Sequence, residues 1–163
     1  MEKIGFWKVD NLYGEFSNWW LCSFVYKGQF FISSEQALMW EKAKMFGDEE
    51  VAERILSTTD QKAIKDLGRQ VKNFSDIIWS HKRYYIMRDI LLEKFGQNKV
   101  LSDLLLSTKN AELFEASPFD KVWGIGSSDV NIVNGQNLLG KALMYVRTYL
   151  TAKQMTNNKD EHQ

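Results

Sequence analysis

Glu35 stands where an extended segment gives way to a helix, a setting in which a carboxylate could do chemistry. Ser33 followed three residues later by Gln36 reads as a capping box, which puts Glu35 in the first helical turn. There the helix dipole and the unpaired amides favour its ionised form. First-turn glutamates are most often structural. The hydrophobic hairpin ahead of this one, and the junction it occupies, keep a functional reading beside the structural one.

Other patterns fall short of the chemistry they suggest. Gly135 to Ala142 comes close to a phosphate-binding loop, but Ala142 stands where Ser or Thr would hold magnesium, and no buried strand precedes it. Gly124-Ile125-Gly126 lacks the third glycine of a dinucleotide fingerprint and survives only as a flexible loop through which backbone can approach a phosphate. His81 sits inside a helix beside Lys82 and Arg83, with no Ser-His-Asp or Cys-His partners at a defensible spacing. Cys22, His81 and His162 cannot assemble a transition-metal centre, so neither metal nor cofactor is expected. Lys44, Lys62, Lys65, Arg69, Lys82, Arg83 and Arg88 are spread over several helices. Most belong to solvated faces, and a few can converge on phosphate.

The elements that must position these residues are legible. Residues 3–9 and 23–32 are aromatic and β-branched, and Lys27-Gly28 between two such runs predicts a hairpin. Helices follow at 34–46, 48–57, 60–71 and 75–96, with stops at Gly47 and Gly96, and a short amphipathic one at 98–106. Residues 112–116 read as short and extended, because the residue before Pro118 is pushed out of the helical region. Residues 122–134 read as a loop, and a closing helix runs over 136–155. The expected organisation is one α+β domain, predominantly α-helical, over residues 1–155, with a disordered polar tail at 156–163.

Composition bounds the function. The chain has 163 residues, 21 basic and 21 acidic, which argues against a dedicated duplex-DNA binder. A chain of this size buries roughly 70% of its unfolded surface without staples. No apolar run is long enough for a membrane span, and residues 1–10 do not resemble a signal peptide, so a cytoplasmic protein with no membrane partner is expected. Aromatics reach 13%, with six Trp, which suits either a ring-filled core or a cleft for a planar ligand.

Several segments in order resemble one family. They are Gly14-Glu15-Phe16-Ser17-Asn18, Ser34-Glu35-Gln36-Ala37, Ala43-Lys44-Met45-Phe46, Lys65-Asp66-Leu67-Gly68-Arg69, Leu92-Glu93-Lys94-Phe95, Glu115-Ala116-Ser117-Pro118-Phe119-Asp120, Trp123-Gly124-Ile125-Gly126 and the run from Gly135 to Met144. Across residues 13–147 the chain resembles the YbiA-like, or NADAR, domain family. Trp19-Trp20-Leu21-Cys22 departs from the aromatic-Pro segment of that pattern, and Gln36 replaces its usual His.

The resemblance implies N-glycosidase chemistry, hydrolysis of the C–N bond between a ribose and a base. The implied substrate is a small nucleotide-type molecule: a phosphorylated ribosylamino-pyrimidine of riboflavin biosynthesis, or ADP-ribose attached to guanine, including a base within nucleic acid. Cleavage through an oxocarbenium-like state calls for a carboxylate and a water. The matching carboxylates are Glu35, the first candidate, and Asp120. Trp79 and Trp123 would stack the base, Lys44 and Arg69 would hold phosphate, and Asn18 would bind ribose hydroxyls. Ser117, Gly124, Gly126 and Asn137 complete the expected substrate contacts. The rival readings are a non-catalytic ADP-ribose or nucleotide-binding module, and a structural protein whose aromatic surplus is only core.

Overall fold

The structure, a computed structural model, describes residues 1–162. Along the chain come β1 (Lys3–Phe6), β2 (Phe24–Tyr26), β3 (Gln29–Phe31), α1 (Ser34–Met45), α2 (Glu49–Leu56) and α3 (Gln61–Arg69). Then follow α4 (Asp76–Gly96), α5 (Lys99–Ser107), β4 (Glu112–Glu115) and α6 (Leu138–Asp160). The fold is α+β and mostly helical, as the sequence predicts. The chain divides into two compact units, one made of Met1–Ser17 with everything from Phe95 onward, the other of Asn18–Lys94.

In the Asn18–Lys94 unit, β2 and β3 form an antiparallel hairpin with Tyr26 opposite Gln29. Lys27 and Gly28 both take positive φ, 50° and 73°, so the two-residue turn is of the primed type that suits strand twist. Glycine adopts that geometry freely. Lys27 is held in it by an ion pair to Glu41 at 2.8 Å. Ser33 then caps α1 by accepting from the Gln36 backbone N–H at 3.0 Å. Gln36 does not close the box on Ser33; its Oε1 accepts from the Ile32 N–H at 2.9 Å, one residue earlier. Its amide nitrogen donates to the carbonyls of Ile55 and Thr58, tying the end of α2 to the start of α1. Helices α1, α2 and α3 pack on one another. Asp48 caps α2 through one carboxylate oxygen and accepts from the Lys72 N–H with the other, at 2.9 Å.

In the other unit, β1 pairs in parallel with β4. Alternation buries Ile4 and Phe6, and Phe6 meets Phe16 edge-on at 5.6 Å. The extended segment after α5 is therefore a strand with a partner 109 positions back in the register Lys3 to Glu112. Helix α6 packs on β4 and α5; of the one-sided apolar stripe that its sequence predicts, Leu139, Ala142, Leu143, Val146 and Leu150 are buried, whereas Tyr149 is 48% exposed. The expected polar tail from Thr156 is corrected here: it is helical as far as Asp160, with its residues exposed. Gln163, the last residue of that tail, lies outside the described residues. No helix among the described residues is long and apolar enough to cross a membrane.

Replacing Ser33 with Ala removes the acceptor at the start of α1 and the 2.6 Å hydrogen bond from its hydroxyl to Gln61. Urea unfolding of Ser33→Ala is expected to show a loss of about 1–2 kcal/mol; an unchanged midpoint would mean the cap does not hold the helix.

Candidate functional site

Glu35 enters the site because its neighbours hold the first turn of α1 in place. The Asn18 carbonyl accepts from the Glu35 backbone N–H at 3.0 Å. The Ser34 hydroxyl donates to Asn18 Oδ1 at 2.8 Å. Asn18, Ser34 and Glu35 are all buried, and Glu35 is only 8% exposed. The structure thus puts the expected ribose-binding residue beside the expected carboxylate, with Asn18 Oδ1 already accepting from Ser34.

Seven residues after Glu35, two turns on and on the same helix face, stands Lys42. Its ammonium lies 4.5 Å from the centroid of the Phe74 ring and 5.9 Å from that of Trp79. Burial pushes its pKa below the usual 10.5, and the nearby Arg69 adds to that, while the Glu35 and Asp76 carboxylates oppose it. A carboxylate, an ammonium, a guanidinium and an indole therefore share one neighbourhood in the Asn18–Lys94 unit. Such a cluster can hold an anionic, polar ligand against an aromatic face. The sequence reading passed over Lys42. The signal for it was the seven-residue spacing from Glu35.

Lys44, expected to hold phosphate, is instead exposed and paired with Glu49 at 2.8 Å. The reason is helix geometry: two positions beyond Lys42, it points to a different side of α1. Arg69 closes α3, exposed, 3.4 Å from Asp66. Trp79 is only 6% exposed, near the start of α4.

The remaining expected residues gather in one loop of the other unit, between β4 and α6. Asp120 Oδ1 accepts from the backbone N–H groups of Val122 and Trp123, at 2.9 and 2.8 Å, and so shapes the turn that follows. Ser117 Oγ accepts from the Phe119 N–H at 3.2 Å. A Cβ on Gly124 would come within 2.8 Å of the Glu115 carbonyl oxygen. Gly126 has φ of +67°, and a Cβ there would lie 2.8 Å from the Asn134 carbonyl oxygen. Asn137 is buried; its Oδ1 accepts from the Glu115 N–H at 3.0 Å and its Nδ2 donates to the Leu113 carbonyl at 2.9 Å. Both glycines and Asn137 thus have clear duties to the backbone. Trp123 is partly exposed, and its carbonyl accepts from the Leu139 N–H at 3.1 Å.

A family model described as the NADAR domain matches residues 5–151. A protein of Acanthamoeba polyphaga mimivirus named an N-glycosidase is 42% identical over 124 residues, covering 72% of this chain and 73% of that protein. A Vibrio vulnificus protein named for riboflavin biosynthesis is 34% identical over 149 residues, covering 91% of this chain but 39% of that protein. The NMR structure of Escherichia coli YbiA matches with a TM-score of 0.82 at 29% identity, covering 94% of this chain and 88% of that one.

Asn137→Ala would leave a part-buried N–H and a buried carbonyl on β4 unmatched, with alanine at a φ of 54°. The expected loss is about 2–4 kcal/mol in denaturant unfolding. Stability unchanged with ligand binding abolished would instead make Asn137 a ligand contact.

Proposed function

The chain belongs to the NADAR domain family, and on that premise we propose that it is an N-glycosidase cleaving the C–N bond between a ribose and a planar base of a nucleotide-type substrate. The observation that carries the reading is Glu35, a buried carboxylate on the same helix face as a half-buried Lys42. The substrate is a phosphorylated ribosylamino-pyrimidine or ADP-ribose joined to guanine.

In this reaction the bond from C1′ to the base nitrogen breaks, and positive charge develops over C1′ and the ring oxygen. A fixed carboxylate stabilises that charge more than it stabilises the neutral substrate, which is what lowers the barrier. Glu35 takes this role and accepts the proton of the water that adds to C1′. The base leaves with its electron pair and takes up a proton, so water is consumed and a free base and a reducing sugar result. Lys42 and Arg69 hold the anionic part of the substrate, and the Trp79 indole lies against its planar part.

Glu35→Gln keeps the shape and removes the charge. Base release, followed by chromatography over a panel of ribosylated and ADP-ribosylated compounds, is expected to fall about 10²–10⁴-fold. The melting temperature should stay within a few degrees, since a first-turn charge contributes only about 0.3–1 kcal/mol through the dipole. A full rate in this variant would refute the assignment. Parent protein that binds such compounds and releases no base would be a binding module.

Lys42 sets a second test. Its pKa lies below 10.5 because of burial, so its cation is lost as pH rises through that lowered value. If the cation holds substrate, the rate falls on the alkaline side below pH 10.5. In Lys42→Arg, which stays charged, that limb should move to higher pH. An alkaline limb identical in both proteins would show that another group controls it.

A further inference from the structure

Trp79, Arg83 and Met87 follow one another at four-residue intervals on α4, which stacks them along one face of the helix. Trp79 and Met87 are buried there, and so are Ile90 and Leu91 further along the same face. Arg83 stands among them, yet it is partly exposed. Its guanidinium Nε is closed off from solvent and has no hydrogen-bond partner among the described residues. Long side chains on a helix lean toward its N-terminus, so that of Arg83 runs back over the turn that carries Trp79. A donor of a charged group left unpaired away from water costs folding stability. A snorkelling arginine avoids that cost by keeping its charged head in water, and Arg83 does not keep Nε there. Methionine would fill the same place in the stripe without the cost. The guanidinium is therefore accounted for by something it receives, not by something it holds together.

We propose that Arg83 is a catalytic residue that takes the carbonyl edge of the leaving base, donating to it while the ring lies on Trp79. This rests on the N-glycosidase reading and supplies the part of the reaction that Glu35 and Lys42 do not serve. Both classes of base in that reading carry a carbonyl oxygen beside a ring nitrogen. The Nε–H and an Nη–H of one guanidinium form a planar two-donor edge that matches such a pair. When the bond from C1′ to the base nitrogen breaks, its electron pair stays with the base and spreads onto that carbonyl oxygen. A cation held at the oxygen stabilises this charge as it develops. Arginine keeps its own proton, so the proton that finally neutralises the base comes from the water consumed. Glu35 meets the positive charge on the ribose, and Arg83 meets the negative charge on the base.

Inosine 5′-monophosphate and purine riboside 5′-monophosphate differ by that carbonyl oxygen, and calorimetry on the full chain compares them in the parent, Arg83→Met and Arg83→Lys. The parent is expected to prefer the inosine compound about ten-fold or more. Arg83→Met should bind the two alike. Arg83→Lys, a point charge without the fork, should keep a preference of only about two- to three-fold. Base release from the panel of ribosylated compounds should fall about 10²–10³-fold in Arg83→Met. In thermal melting without ligand, Arg83→Met should unfold no earlier than the parent, since methionine suits a buried stripe and leaves no donor unpaired. A preference that survives in Arg83→Met, or a parent that binds neither compound or makes no distinction, would overturn the proposal. So would an Arg83→Met protein that melts well below the parent, by making Arg83 a structural part. Full base release in a variant that has lost the preference would overturn the catalytic role. A parent that shows the Arg83-dependent preference and never releases base would defeat the hydrolase reading and leave the base contact standing.

Discussion

A carboxylate that is 8% exposed has given up its water, and the structure around Glu35 is organised to offset that loss. The first turn of α1 supplies the positive end of the helix dipole, the Ser33 cap fixes where that turn begins, and Asn18 grips the turn from the preceding loop. Lys42 brings the compensating positive charge from two turns along the same helix. Each contact is ordinary. Together they fix the backbone of the turn that carries the carboxylate, and the proposed reaction, passing through a cation, needs a negative charge that does not have to reorganise.

The same economy governs Lys42. An ammonium half out of water, flanked by Phe74 and Trp79, is less costly to bury beside aromatic faces than beside aliphatic ones, because the ring faces are negative. Part of the chain's aromatic surplus serves this purpose. The larger part is core: Phe6, Phe16, Phe24, Phe31 and Phe95 are essentially fully buried. For those rings the core explanation of the aromatic content holds.

The loop between β4 and α6 shows how residue types that suggest ligand binding can be absorbed by the backbone. Asp120 staples a turn, Gly124 and Gly126 permit close chain approach, and Asn137 bonds two groups of β4. A glycine-rich segment with an Asp and an Asn is what a phosphate loop needs. It is equally what a tightly crossed, strandless connection needs to satisfy its own N–H and C=O groups.

The sequence by itself determined whatever depends on neighbours within one or two turns. The Lys27-Gly28 hairpin, the Ser33, Asp48 and Asp60 helix starts, the Gly47 stop and the apolar stripe of α6 are set by local sterics, capping and periodicity, and all were readable. The place of Glu35 at a strand-to-helix junction belongs with them. Tertiary structure decided what depends on distance along the chain. The sequence could not give β4 the partner β1, since nothing local encodes a parallel pairing more than a hundred residues apart. Nor could it bring Phe74 and Trp79, more than thirty residues further on, against Lys42, although the seven-residue spacing already set Lys42 on the Glu35 face of α1 and Lys44 off it. Which aromatic faces and further charges surround that pair is a fact about packed helices, and helices pack only in the folded chain.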